Sequence, residues 1–361
     1  MNVVFRADAN HNIGMGHIMR CLSIADSFKA KGHFVSFVVA DDCAKSLINT
    51  RGFRVEILHS DYSDMLSELD CWPDIPIDVL IVDSYFVSYK YLTSLKKKKQ
   101  FLLVYLDGRA AFPYPVDALI NYNIYGQKMD YETLYEGERK PVLILGPTFT
   151  PLRSMFQGVM LKKQPQKVQN VLVSTGGADG LHLSLSLLCA LEKFSNWAYR
   201  FHFLIGAMNV DKEIIYSIAH RLPFVVVHEN VSDMRTLIES CDIAVSAAGS
   251  TLYEICSCGV PLITYSVADN QIPGAETFKK LSIAENVGDL RIPETIESEK
   301  IVSGKMKSDV AEVILNAVNQ LSSDYEKRIK MGFRMQKLID GFGADRIVKK
   351  IEDLVLFAKL P

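Results

Sequence analysis

The chain reads as an α/β protein of two doubly wound, Rossmann-like parallel-sheet domains facing a cleft. Three observations predict this. Its 361 residues are roughly twice a usual domain length of about 150 residues, so two separate cores are expected. Short β-branched runs alternate with amphipathic segments through both halves, the pattern of a parallel sheet covered by helices. One polar, lysine-bearing stretch interrupts the alternation near the middle.

In the first half, Val3 to Arg6, Phe34 to Val39, Val79 to Val82, Leu102 to Leu106 and Ala118 to Asn121 have the apolar character of buried strands. The pattern breaks near Leu145-Gly146-Pro147-Thr148, and Lys162 to Gln169, with Lys162, Lys163, Pro165 and Lys167, reads as a linker. It restarts with Val171 to Ser174, Phe201 to Ile205, Val225 to Val227, Ile243 to Ser246 and Leu262 to Thr264. The first domain is therefore expected over 1–147, a linker over 148–168 and a second domain over 169–330. Residues 331–361 are expected as terminal helices, free to pack back on the first domain. The last of them, Asp345 to Leu356, carries Ile347, Val348, Ile351, Leu354 and Val355.

Composition narrows the function. Hydrophobic residues make up 48% and charged residues 23%, the balance of a packed globular protein. A net charge of -2 supplies no global attraction to polyanions, so nucleic acid is not an expected partner. Arg6 and Asp8 interrupt the first apolar run before it reaches signal-peptide length, and no stretch approaches the ~20 apolar residues of a membrane span. A soluble, cytoplasmic protein is expected. The seven cysteines are odd in number and scattered, which suits reduced thiols. Cys256 and Cys258 form a C-x-C pair with no second pair nearby to complete a metal site.

In open parallel sheets, ligands bind beyond the carboxyl ends of the strands, so the strand-to-helix loops are where chemistry is sought. The first strand runs through Ala7-Asp8-Ala9-Asn10-His11-Asn12-Ile13-Gly14-Met15-Gly16 into a helix expected from about His17, with Ile18, Cys21, Leu22 and Ala25 on one face. Gly14 and Gly16 allow a tight turn and close backbone approach, and the helix start offers unpaired N–H groups. Met19 stands where the third glycine of G-x-G-x-x-G would fall, which argues against a nicotinamide cofactor; no cofactor is expected. His17 at a helix amino terminus feels the positive end of the dipole, which disfavours imidazolium and leaves a candidate general base. Filling or capping the turn is the alternative, and the sequence leaves both open. His11 is a weaker candidate.

In the second half, Ser174-Thr175-Gly176-Gly177-Ala178-Asp179-Gly180 precedes a helix expected from Leu181, where backbone amides can cradle a phosphate. Ser246-Ala247-Ala248-Gly249-Ser250-Thr251-Leu252-Tyr253-Glu254 joins a strand, a small-residue turn and a hydroxylated helix start. A diphosphate suits Gly249, Ser250 and Thr251. Glu254, one turn beyond Ser250, can accept ribose hydroxyls; a carboxylate merely stabilised by the helix dipole is the alternative. The chain has no D-x-D, no H-E-x-x-H and no paired cysteine-histidine set. No metal site is expected, and pyrophosphate charge is left to helix termini and backbone amides.

On Phe5-Arg6-Ala7-Asp8-Ala9, Ile13-Gly14, Gly16-His17-Ile18-Met19-Arg20-Cys21-Leu22, Val82-Asp83-Ser84-Tyr85, Gly176-Gly177-Ala178-Asp179 and Ser246 to Glu254, the chain resembles the UDP-2,4-diacetamido-2,4,6-trideoxy-β-L-altropyranose hydrolases of pseudaminic acid biosynthesis. The amino-terminal block is specific to that group, whereas the second-half blocks are shared with many GT-B glycosyltransferases, including the lipid-linked murein precursor transferase. The resemblance implies GT-B architecture and a UDP-sugar partner. It implies that His17 activates water for attack at the anomeric carbon, displacing UDP with inversion, that Tyr85 lies near the sugar, and that Asp8, Gly14, Gly16 and Arg20 belong to the substrate site. In the second domain it implies UDP held by Gly176, Gly177, Gly249, Ser250 and Thr251, with Glu254 on the ribose and Gln271 near the sugar-phosphate. Leu106-Asp107-Gly108-Arg109 stands where an I-D-D-type segment is expected, a departure that bears on the sugar rather than the fold. A GT-B glycosyltransferase with a separate acceptor and a non-catalytic nucleotide-sugar-binding protein are the competing readings.

Overall fold

The computed structural model describes residues 1–10, 13–98, 101–193, 197–291 and 306–358. The chain divides into two compact units, Met1–Gln157 with Gly341–Pro361, and Gly158–Asp340.

The first unit holds β1 (Asn2–Ala7), β2 (Phe34–Val39), β3 (Arg54–Ile57), β4 (Val79–Asp83), β5 (Leu102–Leu106), β6 (Ala118–Asn121) and β7 (Val142–Leu145), with helices α1 (Gly16–Ala30), α2 (Lys45–Thr50), α3 (Tyr89–Lys98) and α4 (Tyr131–Leu134). The strands form one sheet in the order β3-β2-β1-β4-β5-β6-β7, every pair parallel. On one face Val4, Val38, Leu80, Val82, Leu103 and Leu119 pack against Tyr91, Leu92 and Leu95 of α3. β4, in the interior of this sheet, is buried over its whole length, as expected of a parallel strand covered on both faces.

The second unit holds β8 (Asn170–Ser174), β9 (Arg200–Ile205), β10 (Val225–Glu229), β11 (Ile243–Ala247), β12 (Leu262–Ser266) and β13 (Glu285–Asp289), with α5 (Leu183–Glu192), α6 (Lys212–Ala219), α7 (Met234–Glu239), α8 (Thr251–Ser257), α9 (Ile272–Lys280), α10 (Met306–Ser323) and α11 (Tyr325–Leu338). Its sheet runs β10-β9-β8-β11-β12-β13, again all parallel. Both sheets thus reverse their winding beside their own first strand, between β1 and β4 and between β8 and β11. Those switch points are where doubly wound sheets open a crevice for ligands.

Three strands absent from the sequence expectations, β3, β7 and β13, are all sheet edges. β13 reads Glu285-Asn286-Val287-Gly288-Asp289, and Val142 at the start of β7 is exposed. β3 and β13 pair on one side only and carry polar residues, so they lack the continuous apolar signature of a central strand, whereas β7, Val142-Leu143-Ile144-Leu145, is apolar throughout but only four residues long.

The stretch 148–168 is shared between the units. Thr150 belongs to the first, where its backbone lies so close to Gly343 that any Cβ there would overlap it. From residue 158 the chain is tied to the second unit by α11. The buried Arg328 donates to the carbonyls of Pro165 (2.8 Å) and Gln166 (2.9 Å), and Gln336 accepts from the Lys162 N–H at 2.9 Å and donates to the Met160 carbonyl at 2.9 Å. α11 therefore stays with the second unit, and the last helix, α12 (Gly343–Ala358), returns to the first. There it packs along α1, with Asp345 accepting from the Ser27 hydroxyl and Glu352 accepting from Lys31 (2.7 Å) and His33 (2.8 Å).

Candidate functional site

At the first switch point the final residues of β1 and β4, Ala7 and Asp83, stand side by side. The chain leaving β1 folds into a tight loop in which the Gly14 N–H donates to the Asn10 carbonyl at 2.8 Å. Gly14 has φ +71°, a left-handed conformation that suits glycine. His11 and Asn12 lie outside the described residues. α1 then begins at Gly16, with Met15 before it supplying no side-chain cap, and a side chain at Gly16 would meet nothing within 4 Å.

His17, Arg20 and Cys21 occupy one face of α1, at the spacing that places side chains over one another on a helix. All three converge on Asp83. His17 Nδ1 lies 2.6 Å from Asp83 Oδ1. Arg20 donates from Nε to Oδ2 and from Nη2 to Oδ1, each at 2.5 Å, and the Cys21 thiol approaches Oδ2 at 3.5 Å. Asp83 is buried. Burial by itself raises a carboxyl, but the charge of Arg20 and the hydrogen bonds from Arg20 and His17 reverse this and hold Asp83 well below the usual carboxylate range. Burial and then the Asp83 charge push the Cys21 thiol up, which leaves it a neutral donor.

The His17 ring is buried and meets the Tyr85 ring edge-on, with centroids 4.6 Å apart. His17 Nε2 has no hydrogen-bond partner among the described residues. Arg20 also donates to the Tyr122 hydroxyl at 3.2 Å and lies over that ring. Asp83 and Tyr122 are the residues that sequence reasoning did not single out. The available signal for Asp83 was a carboxylate closing a fully apolar strand, but its neighbour depends on sheet order.

Asp8 faces inward. Its carboxylate receives Arg6 Nη1 at 2.5 Å and the Ala40 N–H at 2.7 Å, and the buried Arg6 also pairs with the buried Glu68, Nη2 to Oε2, at 2.5 Å. Asp8 thereby fastens the β1 exit to the β2 exit. Asp107 also works within the fold, accepting from the Tyr131 hydroxyl (2.6 Å), the Tyr114 hydroxyl (3.0 Å) and the Arg109 N–H (2.9 Å).

At the second switch point the loops after β8 and β11 emerge side by side, with Ser174 and Ser246 in register. Gly176 has φ +92°, and Gly206 at the end of β9 lies so near Gly176 and Gly177 that a Cβ there would overlap their backbone. α5 starts at Leu183 rather than Leu181, because Asp179 and His182 both take left-handed backbone before it. The Asp179 carboxylate accepts from the Leu183 and Ser184 N–H groups at 2.9 Å each. These first amides of α5, expected as a phosphate cradle, are thus taken by the protein's own carboxylate.

At α8 the residue before the helix, the exposed Ser250, supplies no side-chain cap. Gly249 and Thr251 flank it, half-buried, and Glu254 lies half-buried in the first turn. Gln271 precedes α9 and accepts from the Val267 N–H at 2.9 Å, which closes the β12 exit loop. Cys256 and Cys258 are buried, and burial pushes the Cys258 thiol up to about 12. Among the described residues, the metal-ligand types that come together are Asp41, Asp42 and Cys43 on the loop after β2, with Asp42 and Cys43 exposed. No described helix is long and apolar enough to cross a membrane.

No family model matches the chain. It is 24% identical to the spore coat polysaccharide biosynthesis protein SpsG of Bacillus subtilis over 98% of each chain. It is 28% identical to the UDP-2,4-diacetamido-2,4,6-trideoxy-β-L-altropyranose hydrolase of Campylobacter jejuni, over 54% of this chain and 66% of that one. Among solved structures, the calicheamicin glycosyltransferase CalG4 aligns with TM-score 0.65 at 16% identity over 99% of both chains. Phytolacca americana UGT2, complexed with UDP-2-fluoro-glucose and pterostilbene, aligns with TM-score 0.65 at 13% identity over 98% of this chain and 99% of that one. Two Rossmann-like sheets in one chain and these whole-length alignments give the protein the GT-B architecture.

Proposed function

We propose that the chain is a UDP-sugar hydrolase that cleaves a UDP-activated diacetamido-trideoxy sugar with water, without a metal, on a route to pseudaminic or a related nonulosonic acid. The observation that carries this reading is the buried His17 at the first switch point, its Nδ1 beside Asp83 and its Nε2 unpartnered among the described residues. A histidine that merely filled the turn has no need of a carboxylate behind it and an open nitrogen in front. The hydrolase name carried by the Campylobacter relative supports the substrate class.

In the proposed reaction Nε2 takes a proton from water as the oxygen attacks the anomeric carbon. The bond from that carbon to the phosphate oxygen breaks, its electron pair leaves with UDP, and attack from the opposite side inverts the configuration. Tyr85 flanks the sugar, and Gly14, Gly16 and Arg20 are the first unit's contribution to substrate binding. Asp8 acts from behind, by holding the loop. On the second unit, Gly176, Gly177 and the Gly249, Ser250 and Thr251 turn receive the diphosphate, Glu254 the ribose and Gln271 the sugar-phosphate.

A glycosyltransferase is the second reading, favoured by the calicheamicin glycosyltransferase CalG4, which shares the fold. It uses the same donor but needs an acceptor hydroxyl in place of water. Incubating the protein with a panel of UDP-sugars in buffer alone separates the two: UDP and free sugar appear together for a hydrolase, and neither appears for a strict transferase.

A further inference from the structure

We infer that Asp83 is the positioning residue of His17, fixing the imidazole with its proton on Nδ1 and its lone pair on Nε2, and that Arg20 keeps Asp83 ionised for that task. The inference deepens the proposed function and rests on it for its catalytic meaning.

Two neighbours crowd His17 Nδ1, and they make opposite demands. Asp83 Oδ1 stands 2.6 Å away and Arg20 Nη2 2.7 Å away. A guanidinium only donates and an ionised carboxylate only accepts. If Nδ1 carried a lone pair, that pair would face the lone pairs of Asp83 Oδ1 at a distance where two acceptors repel. If Nδ1 carries the proton, the same contact is a short charge-assisted hydrogen bond. Arg20 does not need Nδ1 as an acceptor, because Nε and Nη2 already donate to the two Asp83 oxygens and Nη1 to Tyr122. The carboxylate therefore decides the tautomer, and the nitrogen left with a lone pair is Nε2.

Arg20 makes this arrangement stable. A carboxylate with no exposed surface and no cation beside it would be driven to protonate and would then compete as a donor. With Arg20 on both oxygens and Cys21 donating a thiol to one of them, Asp83 has only acceptor capacity to offer His17. When Nε2 gains the proton from water, the resulting imidazolium keeps its Nδ1–H on Asp83. The one helix face bearing His17, Arg20 and Cys21 thus works as a unit with a single residue of β4.

The test reads the tautomer directly, by nitrogen NMR on the full chain carrying isotope-labelled histidine, with His17 assigned from its loss in His17→Asn. The parent is expected to show Nδ1 protonated and Nε2 bare. In Asp83→Asn the single amide oxygen is claimed by Arg20, the amide N–H faces Nδ1, and the proton is expected on Nε2. Should that variant fail to fold, Asp83→Ala combined with Arg20→Met removes both charges together and carries the same expectation. A parent with its proton on Nε2, or a folded variant whose proton stays on Nδ1, overturns the inference. Turnover supplies the second readout: kcat for UDP release falls on the order of 10²–10⁴-fold in Asp83→Asn with KM retained, as for loss of a correctly oriented base. A parent with the stated tautomer that hydrolyses no UDP-sugar would overturn the proposed function and leave the positioning role standing.

Discussion

Arg20 grips Asp83 along one edge of its guanidinium, with Nε on Oδ2 and Nη2 on Oδ1, each at 2.5 Å. This pair anchors the start of α1 to the end of β4. Because Asp83 titrates well below an ordinary carboxyl in the folded chain, its contribution to stability is fully present above the unfolded-state value of about 3.9 and is lost as pH falls through the lower folded-state value. Thermal melts of the parent are expected to fall steeply below about pH 4, and those of Asp83→Asn less steeply. Parallel curves would remove Asp83 as a source of the acid sensitivity.

His17→Asn is expected to lower UDP release on the order of 10²–10⁴-fold, the usual range for a positioned general base, while the melt and UDP affinity stay near parental. Binding and catalysis come apart because the imidazole belongs to the first unit and the proposed nucleotide loop to the second. Single-turnover release of UDP beside a thermal melt checks it; a parental rate would make His17 structural and the mechanism wrong.

Glu254→Ala is expected to weaken UDP binding by about tenfold or more, the equivalent of the roughly 1.5–3 kcal/mol of a charge-assisted hydrogen bond to ribose. Calorimetric titration of the folded variant decides between that role and a carboxylate that serves only the α8 dipole, for which affinity is unchanged.

Gly206→Ala drives a methyl group into the backbone of Gly176 and Gly177. Overpacking of this kind costs about 1–3 kcal/mol. The expected outcome is a lower melting temperature together with weaker UDP binding, since the displaced loop is the proposed diphosphate loop. A destabilised variant with parental affinity would separate that loop from the nucleotide.

Glu68→Ala leaves the buried Arg6 without its principal partner, and breaking a buried pair from one side costs about 3–5 kcal/mol. Chemical denaturation is the measurement. A loss well under that range would mean that Asp8 alone satisfies Arg6.

The sequence determined what local chemistry determines. Central strands such as β4 and β11 are covered on both faces, so they must be continuously apolar and are legible as such. The glycine-bearing turns after β1, β8 and β11 were visible, and so was the α1 face bearing Ile18, Cys21, Leu22 and Ala25, because helical periodicity is a property of the chain itself; the neighbouring face with His17, Arg20 and Cys21 was not singled out. Only the tertiary structure decided what that face meets. Asp83 lies 66 residues beyond His17, and it comes beneath the imidazole because β4, rather than β2 or β3, pairs with the open side of β1. Sheet order is set by packing among distant segments, and no periodicity encodes it. The same reason hid the Asp8 contact with the β2 exit and the edge strands β3 and β13, whose partly polar sequences resemble loops until a neighbour pairs with them.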